Sequence, residues 1–148
     1  MIKLTIEEAP EYKQLEIHIK CLSMDKNVQG LISKIRSHEI VIYGKDEEGN
    51  IRKILVEDIL YFETVERKNF CYLKEEVYQC EEKLYEIEEW LKDTSFIRIS
   101  KQMILNIEHL VEVRVVGDRK YQAMLSNNES VIITRAYIQA FKERFGIV

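Results

Sequence analysis

The apolar positions follow two periods along the chain, and the changes of period mark its elements. Alternation runs through Ile2, Leu4 and Ile6 and again through Leu15, Ile17 and Ile19, which predicts two strands joined around Glu8-Ala9-Pro10-Glu11. Val28, Leu31, Ile32 and Ile35 then fall at helical spacing, with Asp25 placed as N-cap. Residues 1–37 therefore read as a small ββα extension. Beyond it the apolar runs are short and strand-like. Residues 40–43 and 51–56 form a hairpin whose turn holds Gly49 and Asn50, two residues able to take positive φ. Further strands are predicted at 59–62, 70–73, 96–99, 103–105, 110–116, 121–125 and 130–133.

Two more stretches have helical spacing. In residues 81–91, Leu84, Ile87 and Leu91 form a stripe with Trp90 beside it, opposite Glu82, Glu86 and Glu89. In residues 137–145, Ile138, Phe141 and Phe145 share one face, and Thr134 stands ready as an N-cap. The expected fold is mainly β with short helices. Three polar breaks interrupt it at Arg67-Lys68-Asn69, Ser100-Lys101-Gln102 and Gly117-Asp118-Arg119-Lys120.

The segment Phe96-Ile97-Arg98-Ile99-Ser100-Lys101-Gln102-Met103-Ile104-Leu105-Asn106-Ile107 clamps a polar knuckle between two apolar anchors, as suits residues presented in fixed register. It resembles the signature of the LytTR family of bacterial DNA-binding domains. That family often carries His-Arg-Ser where this chain has Ser100-Lys101-Gln102, so a point charge replaces a bidentate fork. Ile59-Leu60-Tyr61-Phe62-Glu63-Thr64 with Arg67-Lys68 resembles the family's opening strand and DNA-facing loop. Ile132-Ile133-Thr134-Arg135-Ala136-Tyr137 resembles its final strand and the basic residue that opens the last helix.

The resemblance implies an antiparallel β-sheet DNA-binding domain over residues 40–148. It also implies a transcriptional regulator whose loops enter the major groove of double-stranded promoter DNA, with two protomers on direct-repeat sites. The residues carried over are Arg67, Lys68, Asn69, Ser100, Lys101, Gln102, Arg135 and Tyr137. Arg135 is the expected reader of guanine and Asn69 a candidate reader of adenine, while Lys68, Lys101 and Gln102 position the phosphate backbone. The extension 1–37 is much shorter than a receiver domain. It either packs on the DNA-binding domain or supplies a homodimer contact or an effector-protein surface.

Charge and composition modify this reading only a little. The chain carries net charge −4, but residues 1–95 hold 14 Lys+Arg against 21 Asp+Glu, whereas residues 96–148 hold 8 against 5. Positive charge thus lies with the signature, and screening over about 10 Å makes the local balance matter more than the total. No apolar run has the length of a bilayer span, and no signal segment opens the chain, so a cytoplasmic protein without membrane contact is expected. Cys21, Cys71 and Cys80 lack paired metal spacing, and His18, His38 and His109 form no ligand pattern. There is no Gly-rich phosphate loop or recognisable nucleophile with a base, so no cofactor and no enzymatic activity are expected. A protein-interaction module is the other class that the acidic surface and the extension would fit.

Overall fold

Neighbouring residues of the central strands are buried on opposite sides of one sheet, which explains why these strands read as continuous apolar runs rather than as alternation. In the computed structural model, the described residues are 1–117 and 119–146; Asp118 (in the expected 117–120 turn), Ile147 and Val148 lie outside them. Helix α1 (Lys26–Ser37) precedes β1 (Val41–Lys45), β2 (Ile51–Leu55), β3 (Tyr61–Val65), β4 (Lys68–Tyr72) and β5 (Val77–Cys80). Helix α2 (Leu84–Trp90) leads to β6 (Phe96–Ser100), β7 (Met103–Asn106), β8 (Leu110–Val116), β9 (Lys120–Leu125), β10 (Ser130–Ile133) and α3 (Ile138–Phe145). The first seven strands form one antiparallel sheet in the order β2-β1-β5-β4-β3-β7-β6, and the last three form a second in the order β10-β9-β8.

Phe62, Phe96 and Ile104 belong to a core that includes Leu84, Ile87 and Leu91 at α2. Their chain neighbours Tyr61, Ile97 and Leu105 belong to a second core, with Ala123, Leu125, Val131, Ile133 and Phe141 from the small sheet and α3. The large sheet is thus the middle layer of three. A one-residue slip of β3 or β7 would exchange the two sides, so two-sided packing fixes their register.

Asn106 ties the layers together at the end of β7. It is wholly buried. Its Oδ1 accepts from the Ser95 hydroxyl (2.6 Å) and the Glu108 N–H (3.1 Å), and its Nδ2 donates to the Ile59 carbonyl (2.9 Å). Its backbone N–H adds a bond to the Leu60 carbonyl at 2.9 Å.

Several expectations are corrected by packing. The two strands expected before α1 do not form, and residues 1–24 contain only a turn, with the Tyr12 N–H donating to the Ala9 carbonyl at 3.2 Å. An isolated two-stranded ribbon is marginal in water, and none of the described residues covers this segment. The helix after it is present, and the Asp25 carboxylate caps it by accepting from the Val28 N–H at 2.9 Å. In the β1–β2 turn only Gly49 takes positive φ (86°); Asn50 instead gives its N–H to the Asp46 carboxylate at 2.8 Å. That bond, above all, holds the Asp46 carboxyl below its ordinary range.

Strand β5 is too short and unpatterned to announce itself in sequence. It is admitted by Gly44 of β1, where an added Cβ would lie 2.6 Å from Tyr78 Cβ and 2.7 Å from Ile54 Cδ1. The expected helix 81–91 is trimmed to α2, with the Glu82 carbonyl taken by the Asn69 amide (2.7 Å) and the Lys83 N–H by the Glu86 carboxylate (3.0 Å).

Asn106→Ala should lower stability by about 2–4 kcal/mol, since it strands the buried Ser95 hydroxyl and Ile59 carbonyl. Val111→Ala, at a residue 70% exposed on β8, should stay within about 0.5 kcal/mol. Urea unfolding measures both, and a cost below about 1 kcal/mol for Asn106→Ala would contradict the hub. Of the three thiols only Cys21 is exposed. The adjacent Cys71 thiol and then burial push the Cys80 thiol up. Titration of the native protein with a thiol reagent at neutral pH should therefore leave Cys71 and Cys80 unmodified, and rapid modification of more than one thiol would contradict this packing.

Candidate nucleic-acid interface

Two hairpin tips and one strand–helix junction meet at one end of the seven-stranded sheet. The first tip joins β3 to β4. Val65 faces Lys68 across it, leaving Glu66 and Arg67 as a two-residue turn with φ of 51° and 66°. Both central residues are left-handed without a glycine, as a turn matched to strand twist requires. Two side chains behind the turn hold it. The Thr64 hydroxyl donates to Asn69 Oδ1, and Asn69 Nδ2 donates to the Glu82 carbonyl at 2.7 Å.

Lys68 and Asn69 are therefore residues of β4 and not of an open loop. Asn69 is buried, and its amide is occupied within the fold, so it offers no edge to a base in this conformation. Arg67 and Lys68 remain exposed.

The second tip joins β6 to β7. Ser100 faces Met103, so Lys101 and Gln102 form the turn, and the register slips between Arg98 and Ser100. Arg98 pins this tip from behind. Its Nε donates to the Ser100 carbonyl at 2.7 Å, and Nη2 donates to the Lys101 carbonyl. Its Nη1 pairs with Glu88 at 3.1 Å. Ser100 accepts from the Gln102 N–H through its hydroxyl at 3.3 Å, while Lys101 and Gln102 point to solvent. In the sequence Arg98 stands out only as part of the signature. The signal for more was present, because an arginine between apolar strand neighbours needs several acceptors to be satisfied when partly buried.

Two backbone links set the parts side by side. The Thr64 N–H donates to the Gln102 carbonyl at 2.8 Å, which carries the β3–β7 ladder out to both tips. The Thr134 N–H donates to the Ile99 carbonyl at 3.0 Å, reinforced by its hydroxyl at 3.3 Å. This places the β10–α3 junction against β6, next to Ser100. Arg135 follows at once, exposed, at the start of a 3-10 turn (Arg135–Tyr137). The expected α-helix begins only at Ile138, and Thr134 caps nothing because Ile99 takes its hydroxyl. Tyr137 packs half-buried on the second core, which anchors the residue pair after Arg135.

Among the described residues, Arg67, Lys68, Lys101 and Arg135 make no ion pair. Lys34, Lys45, Lys92, Arg98 and Arg114 are each matched to a carboxylate. The four cations therefore present uncompensated charge from one end of the sheet, with Glu66 the exposed carboxylate of the first tip. The acidic helix α2 lies on a face of the same sheet rather than at this end. Such an array suits a ligand carrying regularly spaced anions.

Comparisons with known proteins agree on one family. The family model of the LytTr DNA-binding domain matches residues 49–146. The sensory transduction protein LytT of Enterococcus faecalis is 30% identical over 112 residues, covering 76% of this chain and 45% of that protein. LytT of Bacillus cereus is 24% identical over 143 residues, 97% of this chain and 55% of its own length. The chain thus spans about half the length of these LytT relatives. An uncharacterised HTH-type transcriptional regulator of Staphylococcus aureus is 26% identical over 151 residues, covering 99% of this chain and all of that one.

Among solved structures, the LytTr DNA-binding domain of a putative methyl-accepting/DNA response regulator from Bacillus cereus superposes with a TM-score of 0.68. It is 23% identical and covers 72% of this chain and 96% of its own, a likeness of fold. No helix of this chain is long and apolar enough to cross a membrane, among the described residues. The matched span takes in both tips and the strand–helix junction, and the chain belongs to the LytTr DNA-binding domain family.

Proposed function

We propose that this chain is a sequence-specific DNA-binding transcriptional regulator that acts in the cytoplasm and reads promoter DNA through the three segments at one end of its sheet. The observation that carries the reading is the set of four exposed, unpaired cations on segments tied to one another by the Thr64 and Thr134 bonds. Arg135 is the base reader, because a guanidinium presents the bidentate fork that matches the guanine edge. Arg67, Lys68 and Lys101 neutralise phosphates, and Gln102 is free to donate or accept beside them. Ser100, Asn69 and Tyr137 support these residues from within the fold. Two copies on a direct repeat would multiply the contacts, and the acidic remainder of the chain would keep nonspecific affinity low.

Fluorescence anisotropy with labelled DNA from upstream of the protein's own gene, against a scrambled duplex, tests this directly. With three phosphates neutralised by each copy, log K should fall with a slope of roughly −2.7 per copy against log salt. Arg135→Ala should erase about 1–3 kcal/mol of preference for the specific duplex while leaving the fold intact. Lys101→Ala should weaken both duplexes alike and flatten the salt slope by about one unit. Undiminished preference in the first variant, or a purely sequence-selective loss in the second, would overturn these roles. Arg98→Lys keeps the charge but loses the fork that holds the Ser100 and Lys101 carbonyls. It should reduce specific affinity severalfold without changing the salt slope, since no phosphate contact is removed.

A further inference from the structure

Residues 1–24 carry exposed apolar side chains that none of the described residues covers. They lie outside the span matched to the family. Ile2, Leu4, Ile6 and Leu15 are 78%, 81%, 80% and 79% exposed, and Ile17 and Ile19 are exposed as well. Glu16 and His18, two residues apart between these apolar positions, touch at 3.0 Å. A turn with Pro10 at its second position already reverses the chain between the two alternating segments.

We propose that this arm is a self-association element: residues 15–21 pair antiparallel with the same residues of a second copy of this chain, about a two-fold axis at His18. The sequence is self-complementary in that register. Glu16 falls opposite Lys20 of the second copy, and Lys20 falls opposite its Glu16. Ile17 falls opposite Ile19, and Leu15 opposite Cys21, all on the apolar face. Residues 3–7 repeat the device about Thr5, with Lys3 opposite Glu7 and Leu4 opposite Ile6.

Pairing within one chain does less. Setting Ile2, Leu4 and Ile6 against Ile19, Ile17 and Leu15 places Lys3 opposite His18 and Thr5 opposite Glu16, with no matched charges. It also leaves the apolar face of a lone ribbon wet. Two arms face to face bring twelve aliphatic side chains together, at about 60–120 Å² of apolar surface each. That reaches the roughly 1,000 Å² expected of a specific interface.

A second copy fits better than nucleic acid. The arm holds three lysines (3, 13 and 20) against four glutamates (7, 8, 11 and 16), so it has no attraction for phosphate. Residues 22–25 join it to α1 with neither helix nor strand, so the two-fold of the arms need not be shared by two sheets on a direct repeat.

Light scattering of the full chain during gel filtration, without DNA, reads the proposal independently of any binding to a promoter. The wild type should elute at twice the chain mass, and Ile17→Lys should elute at the single mass with an unchanged thermal transition. Glu16→Lys should raise the dimer Kd about tenfold or more by setting like charges opposite each other, and adding Lys20→Glu should restore it. In a Cys21→Ser background, His18→Cys should form a disulfide-linked dimer on mild oxidation. A monomeric wild type overturns the proposal, as does a dimer that survives Ile17→Lys. Failure of the charge exchange to restore pairing would overturn the His18-centred register.

Discussion

The fold depends on burying β3 and β7 from both sides. Tyr61 and Leu105 face one layer while Phe62 and Ile104 face the other, so neither strand can slip without turning two cores inside out. That register brings Glu63 opposite Met103 and lets Thr64 reach the Gln102 carbonyl beyond the last paired residue. The ends of two hairpins are thereby held level. The relative placement of the tips follows from core packing some residues away, because an antiparallel ladder transmits register along its length.

The second consequence is electrostatic. A chain of net charge −4 would be a poor ligand for a polyanion if its charges were mixed evenly. Here six of the 26 carboxylates lie between Glu81 and Asp93, on and around α2, a helix laid on a face of the sheet, and three of them are spent on Lys45, Lys92 and Arg98. Four cations without a carboxylate partner, Arg67, Lys68, Lys101 and Arg135, stand together at the sheet's end. Glu88 of α2 does reach the second tip, and it is neutralised there by Arg98. Arg98 links the two levels: its partial burial is repaid by two carbonyls and Glu88, and the carbonyls it holds belong to the presenting turn.

Much of this was legible in the sequence, for physical reasons. The signature from Phe96 to Ile107 encodes a strand, a two-residue turn and a strand because its apolar anchors must be buried on both sides of a polar pair. Asp25 and the stripes of α2 and α3 were visible because capping and helical periodicity are local. What was hidden is what depends on partners distant in sequence. Strand β5 exists because Gly44 lets Tyr78 approach. Asn69 reads as an exposed loop polar residue until Glu82 and Thr64 are seen to claim its amide. Thr134 reads as a helix cap until Ile99 claims its hydroxyl. The alternation of Ile2 to Ile19 marks strand-competent segments, but competence needs a partner surface, and the single chain has none to offer.

The most direct test of the account is to follow backbone amide resonances of the isotope-labelled chain as a duplex from the proposed promoter is added. The account predicts that amides near Arg67, Lys68, Lys101, Gln102 and Arg135 shift together in one transition, while those of α2 at Glu86 and Glu89 stay in place. Shifts centred on α2, or confined to residues 1–24 with the three segments unmoved, would contradict it.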